Sequence, residues 1–240
     1  QAEAIPSILQ GRSTVIHSAT GTGKTLAYLL PLLQRMTEPS CGRALIMAPG
    51  TELVMQIAQV ARLFKDEALS VGCAVASVSH GRQRQNIQKS TKLIVGTPGR
   101  VHELYQSKKL KKVGMIVLDE PEPILNSKGG EFLFTLLRQP EPKVQLILAG
   151  ATLGPTTQKL VAQFMGEQSA LAKGTQEPLQ QDVTHTFIGV QDTTGKEVAL
   201  ARFIQKHKCK QAIVFVNRDN LISHLYRYLN EHGHKTLTLS

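Results

Sequence analysis

Apolar residues occur along the chain in short unbroken runs, separated by longer stretches in which they recur at helical spacing. The runs lie at 13–17, 44–47, 73–78, 93–95, 113–118 and 144–149. They lack the alternation with polar residues that a half-exposed strand shows, so we expect strands of a parallel sheet covered on both faces. The helical stretches lie at 24–36, 51–64, 99–107 and 155–164.

Strand and helix alternate in this order, which predicts βαβ units with right-handed connections. The fold class is therefore expected to be α/β, with a doubly wound parallel sheet over residues 1–168. Residues 169–183 are rich in Gln, Gly and Ala and are interpreted as a linker. The pattern resumes over 184–240, with strands expected at 185–190, 212–216 and 236–239 and helices at 195–206 and 219–232. So short a segment is too small to form a good hydrophobic core by itself. It is therefore interpreted as the truncated beginning of a second α/β domain.

The composition excludes some classes of protein. Of the 240 residues, 41% are hydrophobic and 19% are charged, which excludes a wholly disordered chain. No apolar run approaches the roughly 18–20 residues of a membrane helix, so no membrane partner is expected. The net charge of +10 suits a polyanion such as nucleic acid. Three widely spaced cysteines predict an intracellular, reducing compartment, without distinguishing cytoplasm, nucleus, mitochondrion or plastid.

A phosphate-binding loop follows the first predicted strand and opens a helix. Its candidate nucleotide-binding residues are Ser18, Ala19, Thr20, Gly21, Thr22, Gly23, Lys24 and Thr25. The glycines allow backbone N–H groups to point at phosphate oxygens, the lysine adds a cation, and the Thr25 hydroxyl is a ligand for Mg²⁺. The usual pattern is G-x-x-x-x-G-K-[ST], and Ser18 stands where the first glycine is expected.

An acidic pair ends the predicted strand at 113–118. Asp119 is expected to hold Mg²⁺, partly through water, and Glu120 to orient and deprotonate an attacking water. Together with Lys24 these are the candidate catalytic residues. The phosphate loop and the acidic pair together predict binding of ATP or GTP with Mg²⁺, and phosphoryl transfer to water.

At this point the sequence resembles the DEAD-box family of ATP-dependent RNA helicases, whose two domains have a RecA-like fold. Eight short segments match the family's motifs in the family's order. They are 1–6, 18–25, 48–53, 79–82, 97–100, 119–122, 150–152 and 213–217. The resemblance implies that Gln1 reads the adenine edge of ATP. It also implies an RNA partner held by its backbone without sequence preference. A monomer is expected.

The family's RNA-binding motifs fall on Pro49, Gly50, Thr51, Gly81, Arg82, Thr97, Pro98, Gly99 and Arg100. Ribonucleoprotein or ribosome-assembly factors are further candidate partners. The family's arginine finger belongs to motifs beyond Ser240, so the chain is interpreted as a fragment and its turnover alone is expected to be poor.

The chain departs from the family at the motifs that couple hydrolysis to strand separation. Pro121 and Glu122 replace Ala and Asp, and Gly150 replaces Ser. Glu122, Gly150 and Thr152 are the candidate coupling residues, and Glu122 is expected to reach Thr152. The resemblance implies a helicase that unwinds short duplexes or remodels ribonucleoproteins. The alternative is an ATP-gated RNA-binding clamp or assembly factor with little turnover.

Overall fold

The computed structural model describes residues 1–19, 21–38, 41–64, 70–76, 87, 90–110, 112–138, 144–166, 170–173, 184, 186–190 and 195–238. The chain divides into two compact units, Gln1–Pro178 and Leu179–Ser240. Among the described residues, no helix is both long enough and apolar enough to span a lipid bilayer.

The first unit alternates strands with helices, as the apolar pattern predicts. Its strands are β1 Thr14–His17, β2 Arg43–Met47, β3 Val71–Ala74, β4 Leu93–Gly96, β5 Val113–Asp119, β6 Gln145–Gly150 and β7 Ala170–Lys173. Its described helices are α1 Ala4–Leu9, α2 Lys24–Arg35, α3 Thr51–Leu63, α4 Pro98–Gln106, α5 Pro121–Leu125, α6 Glu131–Leu137 and α7 Pro155–Phe164.

All seven strands pair in parallel, in the order β3-β4-β2-β5-β6-β1-β7. Successive strand residues point to opposite faces: Leu45 and Ile116 belong to one apolar cluster, and Ile46 to the other. Helices α1, α2 and α3 pack on the face of Ile46, and α4 to α7 pack on the opposite face. The predicted α/β class, with a doubly wound RecA-like sheet, is confirmed.

The sheet differs from the sequence prediction at two places. Strand β3 begins at Val71, two residues before the predicted run, while Ser77 and Val78 lie outside the described residues. Strand β7 lies inside the predicted linker, where it pairs with β1 in the register Thr14↔Ala170. Its four residues are too few to stand out from a loop in the sequence, and its pairing with β1 makes it a strand. The domain boundaries otherwise stay a prediction.

The second unit contains helices α8 Gly195–Lys206 and α9 Asn220–Glu231, close to the predicted bounds. The predicted strands were wrong for the residues described, because 186–190, 212–216 and 236–238 form no strand. Their apolar side chains are largely exposed: Phe187 is 95% exposed, Phe215 89% and Leu237 96%. An apolar run becomes a strand only when a neighbouring strand satisfies its backbone groups, and no such pairing exists among these residues.

Candidate nucleotide site and RNA-binding edge

Three candidate motifs follow three adjacent strands. Strand β1 ends at His17 before the phosphate loop, β5 ends at Asp119, and β6, which lies between them, ends at Gly150. Because all strands are parallel, their carboxyl ends meet at one edge of the sheet. In open α/β sheets, ligands bind in the crevice outside this edge.

The phosphate loop has the backbone that its glycines predict. Gly21 and Gly23 have φ angles of 77° and 83°, in the left-handed region, and Gly23 is the N-cap of α2. The first turn of α2 therefore directs unpaired N–H groups and the positive end of the helix dipole toward the loop. Thr20 lies outside the described residues.

Lys24 lies at the centre of the loop. Its Nζ donates to the carbonyl oxygens of Ser18 and Ala19, at 3.0 Å each, and lies 3.8 Å from Glu120 Oε1. The Lys24 side chain is 9% exposed, and that of Glu120 is 30% exposed. The structure thus brings the predicted cation and the predicted general base together from positions 96 residues apart in the sequence.

Ser18, the departure from the glycine pattern, has a role inside the loop. The Thr22 hydroxyl donates to the Ala19 carbonyl at 2.8 Å, which uses its one proton. The Ser18 hydroxyl, 2.8 Å from Thr22 Oγ1, is therefore the donor of that contact. The serine at this position therefore joins the beginning of the loop to Thr22 by a hydrogen bond.

Asp119 is buried, at 4% exposed, and its Oδ2 accepts a 2.8 Å hydrogen bond from the hydroxyl of Tyr28, which is fully buried. Burial raises the pKa of the Asp119 carboxyl, and the bond from Tyr28 opposes that rise. Burial and the charge of Asp119 raise the pKa of the Tyr28 phenol well above its usual value, while the Thr25 hydroxyl lowers it. Tyr28 was not among the residues predicted from the sequence. Its signal is its place four residues after Lys24, on the same face of α2.

The residues present fit a magnesium ion shared with nucleotide phosphates. Thr25 and Asp119 offer hydroxyl and carboxylate oxygens, and Mg²⁺ usually takes one or two carboxylates and completes its shell with phosphates and water. Among the described residues, no group of three His, Cys, Asp or Glu side chains could hold a metal alone. A protein-only metal cage is therefore absent from that part of the chain.

Glu120 has an unusual backbone. Its φ of 57° and ψ of 73° lie in the left-handed region, which few residues with a side chain adopt. Its N–H donates to the Ala149 carbonyl at 2.7 Å, and Pro121 follows it as the first residue of α5. This sharp turn separates Glu120 from the buried strand and leaves its carboxylate beside Lys24.

Glu122 binds the start of α7. Its carboxylate accepts from the Thr157 hydroxyl at 2.7 Å, from the Thr157 N–H at 3.0 Å and from the Thr156 N–H at 3.2 Å. Burial alone would raise the pKa of this carboxyl, but the hydrogen bonds, those from Thr157 foremost, lower it to about 2. A carboxylate at a helix N-terminus also suits the helix dipole.

The expected contact between Glu122 and Thr152 was wrong, since the hydrogen bonds of Glu122 go to α7 and to Asn126. The physical reason is that Gly154, which has no side chain, leaves room for the Glu122 carboxylate next to α7. A Cβ on residue 154 would lie 2.5 Å from Glu122 Oε2, so the longer carboxylate reaches α7 only because Gly154 has no side chain. Gly150 does lie beside the site: a Cβ there would be 3.3 Å from both Glu120 Oε2 and the Thr152 carbonyl oxygen.

The candidate RNA-binding residues follow two neighbouring strands further along the same edge. Strands β2 and β4 pair in the register Met47↔Gly96, so Pro49–Thr51 and Thr97–Arg100 leave the sheet side by side. Gly50 and Thr97 are extended N-caps of α3 and α4. Two helix N-termini therefore open at this edge, a suitable arrangement for backbone phosphates.

Two of the remaining candidates can be placed. The Arg100 guanidinium donates to Glu103 Oε2 at 2.7 Å and to the Ala76 carbonyl at 3.5 Å. Gln1 Nε2 donates to the Gly23 carbonyl at 3.3 Å, so its side chain lies against the phosphate loop. Gly81 and Arg82 lie outside the described residues.

Comparison with known proteins decides the family. The family model for DEAD/DEAH box helicases matches residues 1–161. The chain belongs to the DEAD/DEAH box helicase family. It is 32% identical to the RNA helicase CrhR of Synechocystis sp. over 98% of this chain and 48% of that protein. It is 34% identical to the probable ATP-dependent RNA helicase YfmL of Bacillus subtilis, over 90% of this chain and 58% of that protein.

The structure is similar to solved members of the family. The RNA helicase Prp28 from Chaetomium thermophilum, bound to ADP, matches with a TM-score of 0.62 and 28% identity, over 99% of this chain and 58% of that one. A DEAD box protein from Methanococcus jannaschii shares the fold, with a TM-score of 0.64. The chain thus spans about half the length of the curated relatives it matches.

Proposed function

We propose that this chain is the nucleotide-binding part of an ATP-dependent RNA helicase. The observation that carries the proposal is the approach of Lys24 Nζ to within 3.8 Å of Glu120 Oε1 at the mouth of the phosphate loop, next to Asp119. This arrangement suits hydrolysis of a nucleoside triphosphate by water. ATP is the nucleotide, because relatives bear the name ATP-dependent RNA helicase and Prp28 was solved with ADP.

Each residue has a role in the proposed reaction. Lys24 leaves the carbonyls of Ser18 and Ala19 and binds the β- and γ-phosphate oxygens, while the N–H groups at the start of α2 hold the phosphates. Thr25 and Asp119 would hold Mg²⁺, whose charge would offset that of the phosphates. Glu120 orients a water molecule and accepts its proton as the water attacks the γ-phosphorus and ADP leaves.

RNA is the proposed substrate because of the part of the same sheet edge where β2 and β4 end and α3 and α4 begin. The helix starts at Gly50 and Thr97 offer backbone N–H groups, which bind phosphates of any sequence. The net charge of +10 favours the same partner. We place a single RNA strand across α3 and α4, beside the nucleotide, where closure of the whole protein around ATP would bend it away from its complement.

The test is ATP hydrolysis by the whole protein, with and without single-stranded RNA. We expect RNA to stimulate turnover, and Lys24→Ala to abolish both nucleotide binding and turnover. Lys159→Ala removes one positive charge from an exposed position on α7, outside the phosphate loop, α3 and α4; it is the matched control and should leave turnover intact. Failure of RNA to stimulate the wild-type enzyme would contradict the proposal.

A second candidate function is an ATP-gated RNA-binding clamp with little turnover. The contact of Glu122 with α7 instead of Thr152 favours it, because the two motifs that couple hydrolysis to unwinding do not bond to each other through this residue. The same assay separates the two candidates. RNA binding that depends on ATP, without RNA-stimulated hydrolysis, would support the clamp and exclude the helicase.

A further inference from the structure

The buried hydrogen bond from Tyr28 to Asp119 joins two elements of the nucleotide site. Tyr28 lies on α2, one turn after the phosphate loop, and Asp119 ends β5, 91 residues later. The phenol is fully buried and the carboxylate is 4% exposed, so solvent does not replace the bond if it is lost. The phenol has one proton, and the 2.8 Å contact with a carboxylate oxygen uses it.

This bond fixes the orientation of the carboxylate. Oδ2 accepts from Tyr28 with one of its two lone pairs, and this sets the direction in which the oxygens of Asp119 can meet Mg²⁺ or its water. Thr25, the second candidate ligand, lies one turn before Tyr28 on the same helix. A single buried phenol is therefore placed between the two residues expected to meet the ion.

We propose that Tyr28 is a positioning residue, which orients the Asp119 carboxylate for the magnesium ion of the bound nucleotide. The inference rests on the proposed function, since it needs a nucleotide and Mg²⁺ at this site. Groups that hold a metal ligand through a hydrogen bond commonly change metal affinity about 10- to 100-fold when removed. Tyr28 acts through Asp119, and through Thr25, whose hydroxyl bonds to the phenol; it is not expected to touch the nucleotide.

The test is the Mg²⁺ dependence of nucleotide binding by the whole protein, followed with a fluorescent ADP analogue. Tyr28→Phe keeps the ring and removes the donor. We expect its affinity for the analogue in EDTA to equal the wild-type value, while the Mg²⁺ concentration that gives half of the increase in affinity rises about tenfold. Tyr226→Phe, which removes a hydroxyl from a partly exposed tyrosine on α9, should change neither value.

A packing variant separates positioning from general damage to α2. Leu29→Val trims the fully buried neighbour of Tyr28 and should lower the melting temperature while leaving the half-saturating Mg²⁺ concentration unchanged. An unchanged Mg²⁺ requirement in Tyr28→Phe, or an equal rise in Leu29→Val, would overturn the inference. Wild-type binding that does not respond to Mg²⁺ at all would instead contradict the proposed function.

Discussion

Pro121 crowds the position that a side chain at residue 150 would take. A Cβ built on Gly150 would lie 3.1 Å from Pro121 Cδ, closer than most side-chain contacts allow. The two residues that the sequence analysis identifies as departures, proline at the start of α5 and glycine at the end of β6, thus lie side by side. We infer that each substitution suits the other.

A double-mutant cycle tests this pairing. Gly150→Ser crowds the Pro121 ring and should destabilise the protein by about 1–3 kcal/mol, as overpacking usually does. In a Pro121→Ala background, Gly150→Ser should lower the free energy of unfolding clearly less, because the proline ring that the serine would crowd is absent. Thermal or urea unfolding measures both values. Equal costs in the two backgrounds would show that the residues do not interact.

Restoring the family's usual residues should improve coupling. The triple variant Pro121→Ala, Glu122→Asp and Gly150→Ser shortens the carboxylate that now binds α7 and returns a hydroxyl beside Glu120. We expect more RNA duplex unwound per ATP hydrolysed, measured by strand displacement and phosphate release in the same samples. Glu131→Asp, a comparable shortening in the first turn of α6, serves as the control. If the triple variant unwinds no better, the departures do not weaken coupling.

Glu120→Gln should separate binding from hydrolysis. The amide cannot accept the proton of the attacking water, so turnover should fall about 10²- to 10⁴-fold. Nucleotide affinity should stay near the wild-type value, because Lys24 and the N-terminus of α2 are intact. Single-turnover hydrolysis and equilibrium binding provide the two numbers. A variant that loses affinity and rate together would indicate that Glu120 serves the loop's structure and not the proton transfer.

The acid sensitivity of the protein should depend on Glu122. The pKa of this carboxyl is about 2 in the folded protein, below its ordinary value of 4.5. A group whose pKa is lowered by folding stabilises the protein at pH values above its ordinary pKa. That contribution is lost as the pH falls toward the pKa in the folded protein. Between pH 4.5 and about 2, the unfolding free energy of Glu122→Gln should therefore fall less steeply with falling pH than that of the wild type. The difference in slope corresponds to up to about one fewer proton taken up on unfolding.

Chemical denaturation at several acid pH values measures that slope. Glu131→Gln removes the same charge from an exposed position at the start of α6 and provides the comparison. A wild-type slope in Glu122→Gln would mean that its bonds to Thr156 and Thr157 do not depend on its charge.

Much of the fold follows from local patterns in the sequence. Apolar runs without alternation predicted six of the seven strands of the sheet, because strands of a parallel sheet are buried on both faces. The glycines at 21 and 23 predicted the loop's left-handed turns, since few other residues adopt that conformation. The acidic pair at 119 and 120 was placed correctly at the end of a buried strand for the same local reason.

Only the tertiary structure decided the contacts between residues that are distant in sequence. Strand β7 exists through its pairing with β1, whereas residues 212–216 are all apolar and form no strand, since they have no such partner in the part of the chain that the structure describes. Glu122 binds α7 because Gly154 leaves room for it, and Tyr28 meets Asp119 because α2 packs beside β5. The sequence determines which groups are available through their chemistry and backbone preferences, and packing of the folded chain determines which of them meet.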